Sequence, residues 1–158
     1  MIKKIFTIIL LSNLYGQNIA STKAVENVLN KLHLFAAEAK SDDYMKLFSD
    51  NAVFFGTDIK ERWPKLEFDA YATKRMASGI GWTYFMTERN IFFSDDKKIA
   101  WFDEILFHEI YGNFRGTGVL KIVNNEWKIA QYNLLLPIPN DLMKKYAMEI
   151  KAYYEEKK

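Results

Sequence analysis

The fold is decided by residues 81–136, GWTYFMTERNIFFSDDKKIAWFDEILFHEIYGNFRGTGVLKIVNNEWKIAQYNLLL. Aromatic and β-branched residues dominate this stretch, and short polar or glycine-containing turns interrupt it at residues 95–97, 111–113 and 124–125. Long β-prone segments separated by tight turns are typical of β-hairpins. The stretch therefore predicts a meander of four long antiparallel strands. These predicted strands are residues 81–94, 98–110, 114–123 and 126–136.

The residues on either side of the meander predict helices and one short strand. Apolar residues recur at helical spacing from Val25 to Ala39, a second short helix starts at Ser41, and residues 69–76 predict a third. Residues 52–55 predict a short apolar strand, and the chain ends in a predicted helix that follows two prolines. Helices combined with a run of antiparallel strands indicate an α+β domain.

Residues 1–20 have the pattern of a signal peptide. Two lysines precede an apolar run at residues 5–11, which is far shorter than the ~20 residues of a membrane-spanning helix. We expect cleavage after Gly16 or Ala20, and a mature chain without a transmembrane segment. The expected location is secreted or periplasmic, in a bacterium. A buried N-terminal strand or helix is the alternative interpretation.

The composition describes a globular chain of balanced charge. Of 158 residues, 49% are hydrophobic and 27% charged, which supplies a sizeable core and excludes a disordered chain. The formal net charge of +2 vanishes when Lys3 and Lys4 leave with the signal peptide, and a neutral body argues against a nucleic-acid binder. The absence of cysteine excludes disulfides and thiolate chemistry. The length predicts a single domain over residues 21–158.

The three turns set approximate strand registers, which hold if no bulge intervenes. They put Arg89 opposite Phe102, and both His108 and Asn133 opposite Gly116. One face of the sheet then carries large apolar residues toward one end and polar residues with glycines toward the other, which describes a pocket beneath the helices. The predicted pocket residues are Phe55, Trp63, Phe85, Arg89, Leu106, Gln131 and Asn133.

The opposite face of the predicted sheet would expose more aromatic surface than a monomer usually does. A second copy of the chain is the expected cover, and the C-terminal helix is the alternative. The predicted homodimer interface consists of Trp82, Tyr84, Trp101, Ile105, Phe107 and Tyr132.

Several motifs resemble the SnoaL-like branch of the nuclear transport factor 2-like superfamily. They are FGTD at 55–58, ERW at 61–63, RGTGVL at 115–120, WKIAQYN at 127–133 and PIPN at 137–140. The resemblance covers residues 24–140 and implies a cone-shaped curved antiparallel β-sheet, wrapped by N-terminal helices around a pocket, and pairing through the sheet face. Many relatives carry histidine where this chain has Asn133 and serine where it has Leu135, and both departures remove polar groups.

Some proteins with this fold are isomerases, cyclases or dehydratases with an acid or base inside the cone, which gives three catalytic candidates. Glu104 could be a base or a buried carboxylate paired with Arg89. Asp58 could be a base or a turn residue, and His108 an acid–base group or a solvated histidine near the sheet edge. His33, on a helix among apolar residues, is interpreted as a core or interface histidine, so no metal site is predicted.

Two hypotheses of different class follow from the sequence. The first is an exported binding module of undetermined activity, whose apolar pocket takes a small apolar or amphipathic molecule and no cofactor. The alternative is a small cofactor-independent isomerase, cyclase or dehydratase that uses a pocket carboxylate as acid or base. An accessory partner of another exported protein is a third hypothesis that stays open.

Overall fold

The computed structural model describes residues 21–157, so the predicted signal peptide lies outside the described residues. Helices and strands follow one another in an α+β arrangement, which confirms the predicted fold class. The elements are α1 (Thr22–Ala37), α2 (Ser41–Lys46), β1 (Phe48–Phe55), β2 (Arg62–Pro64), α3 (Lys65–Met76), β3 (Phe85–Phe93), β4 (Ile99–His108), β5 (Gly112–Val123), β6 (Glu126–Leu135) and α4 (Asn140–Glu155).

The sheet is mixed rather than wholly antiparallel. The strand order is β2-β1-β6-β5-β4-β3, in which β3 to β6 form the predicted antiparallel meander. β1 pairs in parallel with β6, with Phe54 opposite Tyr132, and the long chain between them supplies the crossover that a parallel pair requires. β2 adds a short antiparallel strand at the edge, with Trp63 opposite Phe54.

The turns lie at slightly different places than the predicted registers assumed. Arg89 pairs with Glu104 rather than Phe102, because the turn after β3 closes further along the chain, with the Ser94 N–H bonded to the Ile99 carbonyl. His108 pairs with Gly112 rather than Gly116. Both shifts cover an even number of residues, so these side chains keep their predicted faces.

Two bulges change which residues face the helices. The β3 register shifts between Met86 and Glu88, which leaves Phe85 opposite Phe107 on the face away from the helices. The register of β5 with β6 also shifts by one residue, and this turns Tyr132 toward the helices. A shift of one residue moves every later side chain of a strand to the opposite face. The faces predicted for the start of β3 and for the end of β6 were therefore wrong.

Three helices cover one face of the sheet, which we call the inner face. Ser21 caps the N-terminus of α1, and its hydroxyl accepts a hydrogen bond of 3.2 Å from the Ala24 N–H. Its buried stripe of Val25, Leu29, Leu32 and Ala36 follows the helical period and packs in one core. The other members of this core from the sheet include Phe48, Phe102, Leu120, Trp127, Ile129 and Tyr132.

The C-terminal helix α4 lies at the periphery. None of its residues is buried, and apolar side chains such as Met148 and Ile150 are exposed. The Tyr154 hydroxyl of α4 donates a hydrogen bond of 3.2 Å to Asp58, and the Lys60 ammonium lies 6.0 Å from the Tyr154 ring centre. Within residues 21–157, no helix is long and apolar enough to cross a membrane.

Candidate functional site

A cavity of about 410 Å³ lies between the helices and the inner face of the sheet. Its volume suits one small organic molecule, and most of its wall is aromatic or aliphatic. The lining residues are Leu32, His33, Ala36, Tyr44, Phe54, Gly56, Thr57, Glu61, Phe68, Tyr71, Trp82, Tyr84, Tyr111, Phe114, Tyr132, Leu134 and Leu136.

Stacked aromatic rings form one side of the cavity. Phe54 of β1 lies parallel to Phe68 of α3, with ring centres 3.9 Å apart. Tyr132 also stacks with Phe54, with ring centres 5.6 Å apart, and Trp82 stacks with Phe68 at 6.4 Å. Aromatic rings of this kind offer flat apolar surfaces at little cost in side-chain entropy. The wall therefore favours a flat ligand.

A polar network closes the cavity at the inner face of the sheet. Glu104 of β4 is fully buried, and its Oε1 accepts a hydrogen bond of 3.0 Å from the Tyr132 hydroxyl. The same oxygen lies 2.9 Å from His33 Nε2, while Arg89 Nε donates a hydrogen bond of 2.8 Å to Oε2. Arg89 Nη1 also donates to Asn30 Oδ1 at 2.7 Å. The network thus ties α1 to three strands.

The charges of this network are matched inside the protein. Burial opposes the ionisation of Glu104, but the hydrogen bonds and charges of His33 and Arg89 outweigh it, so the pKa of this carboxyl is lowered. Burial, with the neighbouring Glu104 carboxylate, raises the pKa of Tyr132 well above its usual value. Glu104 is therefore ionised and Tyr132 protonated at neutral pH. Because an ionised carboxylate only accepts hydrogen bonds, His33 Nε2 is the donor in its contact with Glu104.

Two glycines of β5 permit close packing at and beside this network. A Cβ atom on Gly116 would lie 2.5 Å from the Tyr132 hydroxyl oxygen and 2.9 Å from the Glu104 side chain. A Cβ atom on Gly118 would collide with the Gln131 carbonyl and the Phe102 ring. Glycine in a strand interior permits such close approach.

The loop between β1 and β2 contributes three residues to the cavity wall. Gly56, Thr57 and Glu61 line the cavity there. The Gly56 N–H bonds to the Glu61 carbonyl at 2.9 Å, and Glu61 Oε2 accepts a hydrogen bond of 3.2 Å from the Asp58 N–H. The loop is therefore held in a closed turn by its own backbone and the Glu61 carboxylate.

The family follows from comparison of the whole sequence. A model of the SnoaL-like domain matches residues 25–139, which include the meander, most of α1, all of α2 and α3, and every described lining residue of the cavity. The chain belongs to the SnoaL-like domain family. The resemblance to this branch of the nuclear transport factor 2-like superfamily is therefore confirmed.

Solved structures share the fold of this SnoaL-like domain at low sequence identity. An NTF2-like protein of unknown function from Pseudomonas putida KT2440 is 11% identical, with 77% of this chain and 92% of that one covered and a TM-score of 0.63. A Novosphingobium aromaticivorans protein named "Putative Scytalone Dehydratase" is 10% identical, with coverages of 77% and 87% and a TM-score of 0.63. An NTF2-like protein from Cytophaga hutchinsonii is 13% identical, with coverages of 73% and 97% and a TM-score of 0.59. A search of curated protein sequences finds no match.

The predicted pocket residues of the SnoaL-like domain do not line the cavity. Four of them, Phe55, Phe85, Gln131 and Asn133, lie on the outer face of the sheet, which we define as the face away from α1 to α3. The bulges in β3 and β6 account for the last three, since Gly116 pairs with Leu134 rather than Asn133. On β1, the parallel pairing turns Phe54 inward and Phe55 outward.

The other three predicted pocket residues lie behind the cavity wall. Leu106 is fully buried, and Arg89 contacts Glu104 with a side chain that is only 4% exposed. Trp63 packs behind the wall, 5.6 Å from the Phe68 ring. None of the three is a lining residue.

The catalytic candidates have structural partners of their own. Both Glu104 oxygens are occupied, as the pairing with Arg89 suggested. Asp58 is an exposed turn residue that accepts a hydrogen bond of 2.8 Å from the Lys60 N–H. His108 lies at the end of β4, where Nδ1 accepts a hydrogen bond of 3.1 Å from the Ile110 N–H. Neither Asp58 nor His108 lines the cavity.

The predicted dimer residues divide between the two faces. Trp101, Ile105 and Phe107 lie on the outer face, as predicted. Trp82 and Tyr84 line the cavity, and so does Tyr132, the residue that the bulge in β6 turns inward. Their assignment to the outer face was wrong because the bulges in β3 and β6 reverse the faces of these strand ends.

Three polar residues that line the cavity were not predicted as pocket residues: His33, Tyr44 and Tyr132. His33 follows Leu29 by four residues and precedes Ala36 by three, so it shares the buried stripe of α1. A polar residue on such a stripe is a signal that could have placed it against the sheet. Tyr132 gave no such signal, because its face depends on a bulge. Among residues 21–157, no cluster of histidine and carboxylate side chains could hold a metal ion.

Proposed function

We propose that the cavity binds a small, flat and mostly apolar molecule. The observation that carries this proposal is a cavity of about 410 Å³ that combines stacked aromatic walls with one polar network at its inner end. Apolar pockets with a few convergent polar groups are the usual form of small-molecule sites.

The charges around the cavity favour an uncharged ligand. Among the described residues, no lysine or arginine lines it, Glu61 is the one carboxylate that does, and the buried Glu104 is outside the lining. Because Arg89 already neutralises Glu104, the inner end offers no free charge to a ligand ion. An anion would lose its hydration without gaining an opposite charge, and Glu61, the carboxylate that a cation could meet, already accepts a hydrogen bond from the Asp58 N–H.

A screen of flat uncharged aromatic compounds by thermal unfolding tests the proposal. Leu136→Trp should fill part of the cavity and abolish the stabilisation by any hit. Leu66→Trp is the matched control, because Leu66 is an exposed α3 residue that does not line the cavity. Hits that stabilise both variants equally would contradict binding in the cavity.

A cofactor-independent acid–base enzyme is the second candidate function. The observation that favours it is the contact of 2.9 Å between His33 Nε2 and Glu104 Oε1, since a carboxylate that orients an imidazole in a pocket is typical of general acid–base sites. His33 then replaces Glu104 and Asp58 as the group that would move a proton. The dehydratase name of the Novosphingobium protein agrees with this chemistry.

Turnover of a bound compound would distinguish the enzyme from the binding module. His33→Gln should abolish turnover while the protein still binds the compound. Asp58→Asn is the control, and it should leave turnover unchanged because Asp58 lies outside the cavity. Binding without any chemical change across the hits would contradict the enzyme.

We also propose that the protein is exported, on the evidence of Lys3, Lys4 and the apolar run after them. N-terminal sequencing of the protein from its native host tests this proposal. A mature chain that starts after Gly16 or Ala20 would support export, and a chain that still starts at Met1 would contradict it.

A homodimer through the outer face is a further part of the proposal. Phe85, Phe92, Trp101 and Phe107 are between 41% and 49% exposed there, and no residue of α4 is buried against them. Covering one large apolar side chain stabilises by roughly 1.5–3 kcal/mol, so the patch favours association. Ile105→Lys combined with Phe107→Glu should give monomer or aggregate in sedimentation. A wild-type monomer would contradict the dimer.

A further inference from the structure

Tyr44 carries a hydroxyl that the protein itself does not satisfy. The side chain lines the cavity and is 4% exposed, with its ring packed against Phe48, Phe68 and Trp82 at 5.4, 6.0 and 6.2 Å. Within residues 21–157, the Tyr44 hydroxyl has no hydrogen-bond partner. The hydroxyl oxygen keeps some access to solvent, so it opens onto the cavity and can donate a hydrogen bond to a ligand there.

A second tyrosine contributes a hydroxyl to the same cavity. Tyr84 also lines the cavity and interacts electrostatically with Tyr44, and its hydroxyl is likewise without a partner in the described part of the chain. The third nearby hydroxyl, that of Tyr132, is already bonded to Glu104. Of these three tyrosines, Tyr44 and Tyr84 therefore have hydroxyls that remain available to a ligand.

Both hydroxyls are donors at any physiological pH. Burial raises the pKa of Tyr44 and that of Tyr84, so each phenol keeps its proton. One oxygen with two lone pairs can accept from both donors, and a carbonyl oxygen is the simplest such group.

We propose that Tyr44, together with Tyr84, selects flat uncharged ligands that carry a carbonyl oxygen over hydrocarbons of the same shape. The inference rests on the proposed binding function and names the chemical class of its ligand. The aromatic wall of Phe54, Phe68 and Trp82 holds the rings of the ligand, and the two hydroxyls fix the position of its oxygen. Among the described residues, no lysine or arginine lines the cavity to pair with a carboxylate, which leaves ketones, quinones and esters.

Fluorenone and fluorene test this proposal as a matched pair of probes. They share one rigid tricyclic shape, and only fluorenone has a carbonyl oxygen. The wild-type protein should bind fluorenone about threefold to tenfold more tightly than fluorene, as one or two neutral hydrogen bonds provide. Tyr44→Phe should remove most of this preference and leave the affinity for fluorene unchanged.

Tyr146→Phe is the control, because Tyr146 is an exposed residue of α4 that does not line the cavity. It should keep the preference for fluorenone. The infrared carbonyl stretch of bound fluorenone gives a second readout, which should move to higher frequency in Tyr44→Phe. If Tyr44→Phe does not fold, Tyr84→Phe replaces it with the same expected loss of preference.

Three outcomes have distinct meanings. Equal wild-type affinities for the two probes would overturn the role of the tyrosines and leave the cavity as a binding site. A preference that survives in Tyr44→Phe and in Tyr84→Phe would overturn it as well. Failure of both probes to bind would overturn the tyrosine proposal and the proposed binding function together.

Discussion

The Tyr132 hydroxyl donates a hydrogen bond of 3.0 Å to Glu104 Oε1, and both side chains are almost completely inaccessible to solvent. The bond joins β6 to β4 across β5, where Gly116 leaves the space for it. His33 and Arg89 complete the partners of the same carboxylate. The inner end of the cavity is thus a fixed polar network, and its energetics can be tested residue by residue.

Glu104→Gln should strongly destabilise the fold. The change leaves the Arg89 guanidinium buried without its counter-charge, and breaking a buried pair in this way typically costs about 3–5 kcal/mol. Urea unfolding measures the loss. Glu126→Gln is the control, because the exposed pair of Glu126 with Lys128 contributes little. Similar unfolding midpoints for the two variants would contradict a network that matters for stability.

The stability of the protein should fall in acid because of Glu104. The pKa of this carboxyl is lowered in the folded state from its ordinary value of 4.5, so the unfolded chain takes up the proton first. The stabilising contribution is complete above pH 4.5 and is lost as the pH falls toward the folded-state pKa. Urea unfolding as a function of pH measures it. Glu104→Gln should flatten this part of the profile, and an unchanged slope would contradict the assignment.

Gly116→Ala should destabilise the protein by crowding the same network. The new Cβ atom would meet the Tyr132 hydroxyl and the Glu104 side chain, and overpacking of this kind costs roughly 1–3 kcal/mol. Tyr132→Phe removes the nearest atom, so the double variant should lose less stability than the two single variants summed. Strictly additive losses, measured by urea unfolding, would contradict the close approach.

Tyr154→Phe should loosen α4 without unfolding the domain. The variant loses the hydrogen bond to Asp58, and no residue of α4 is buried to replace it. Limited proteolysis should then cleave the C-terminal segment faster, while the unfolding transition of the domain stays where it is. Tyr153→Phe is the control, since Tyr153 has no contact with the β1–β2 loop among those described. Equal cleavage rates would show that other contacts hold the helix.

The sequence predicted the meander and the helices because their patterns are local. The turns at residues 95–97, 111–113 and 124–125 and the stripe of α1 depend on neighbours in the chain, and they follow from residue types alone. The candidate site was less predictable, because one inserted residue reverses a face. Tyr132 was predicted on the outer face and lies on the inner one, and Phe85 was predicted on the inner face and lies on the outer one. Glu104 kept its predicted face, since its strand has no bulge.

A crystal structure of the protein with the tightest compound from the aromatic screen tests the central claim most directly. We predict that the compound lies in the cavity, with its rings against Phe68 and Trp82 and its polar atom beside Tyr44. Density for the compound on the outer face of the sheet, with the cavity empty, would contradict the account.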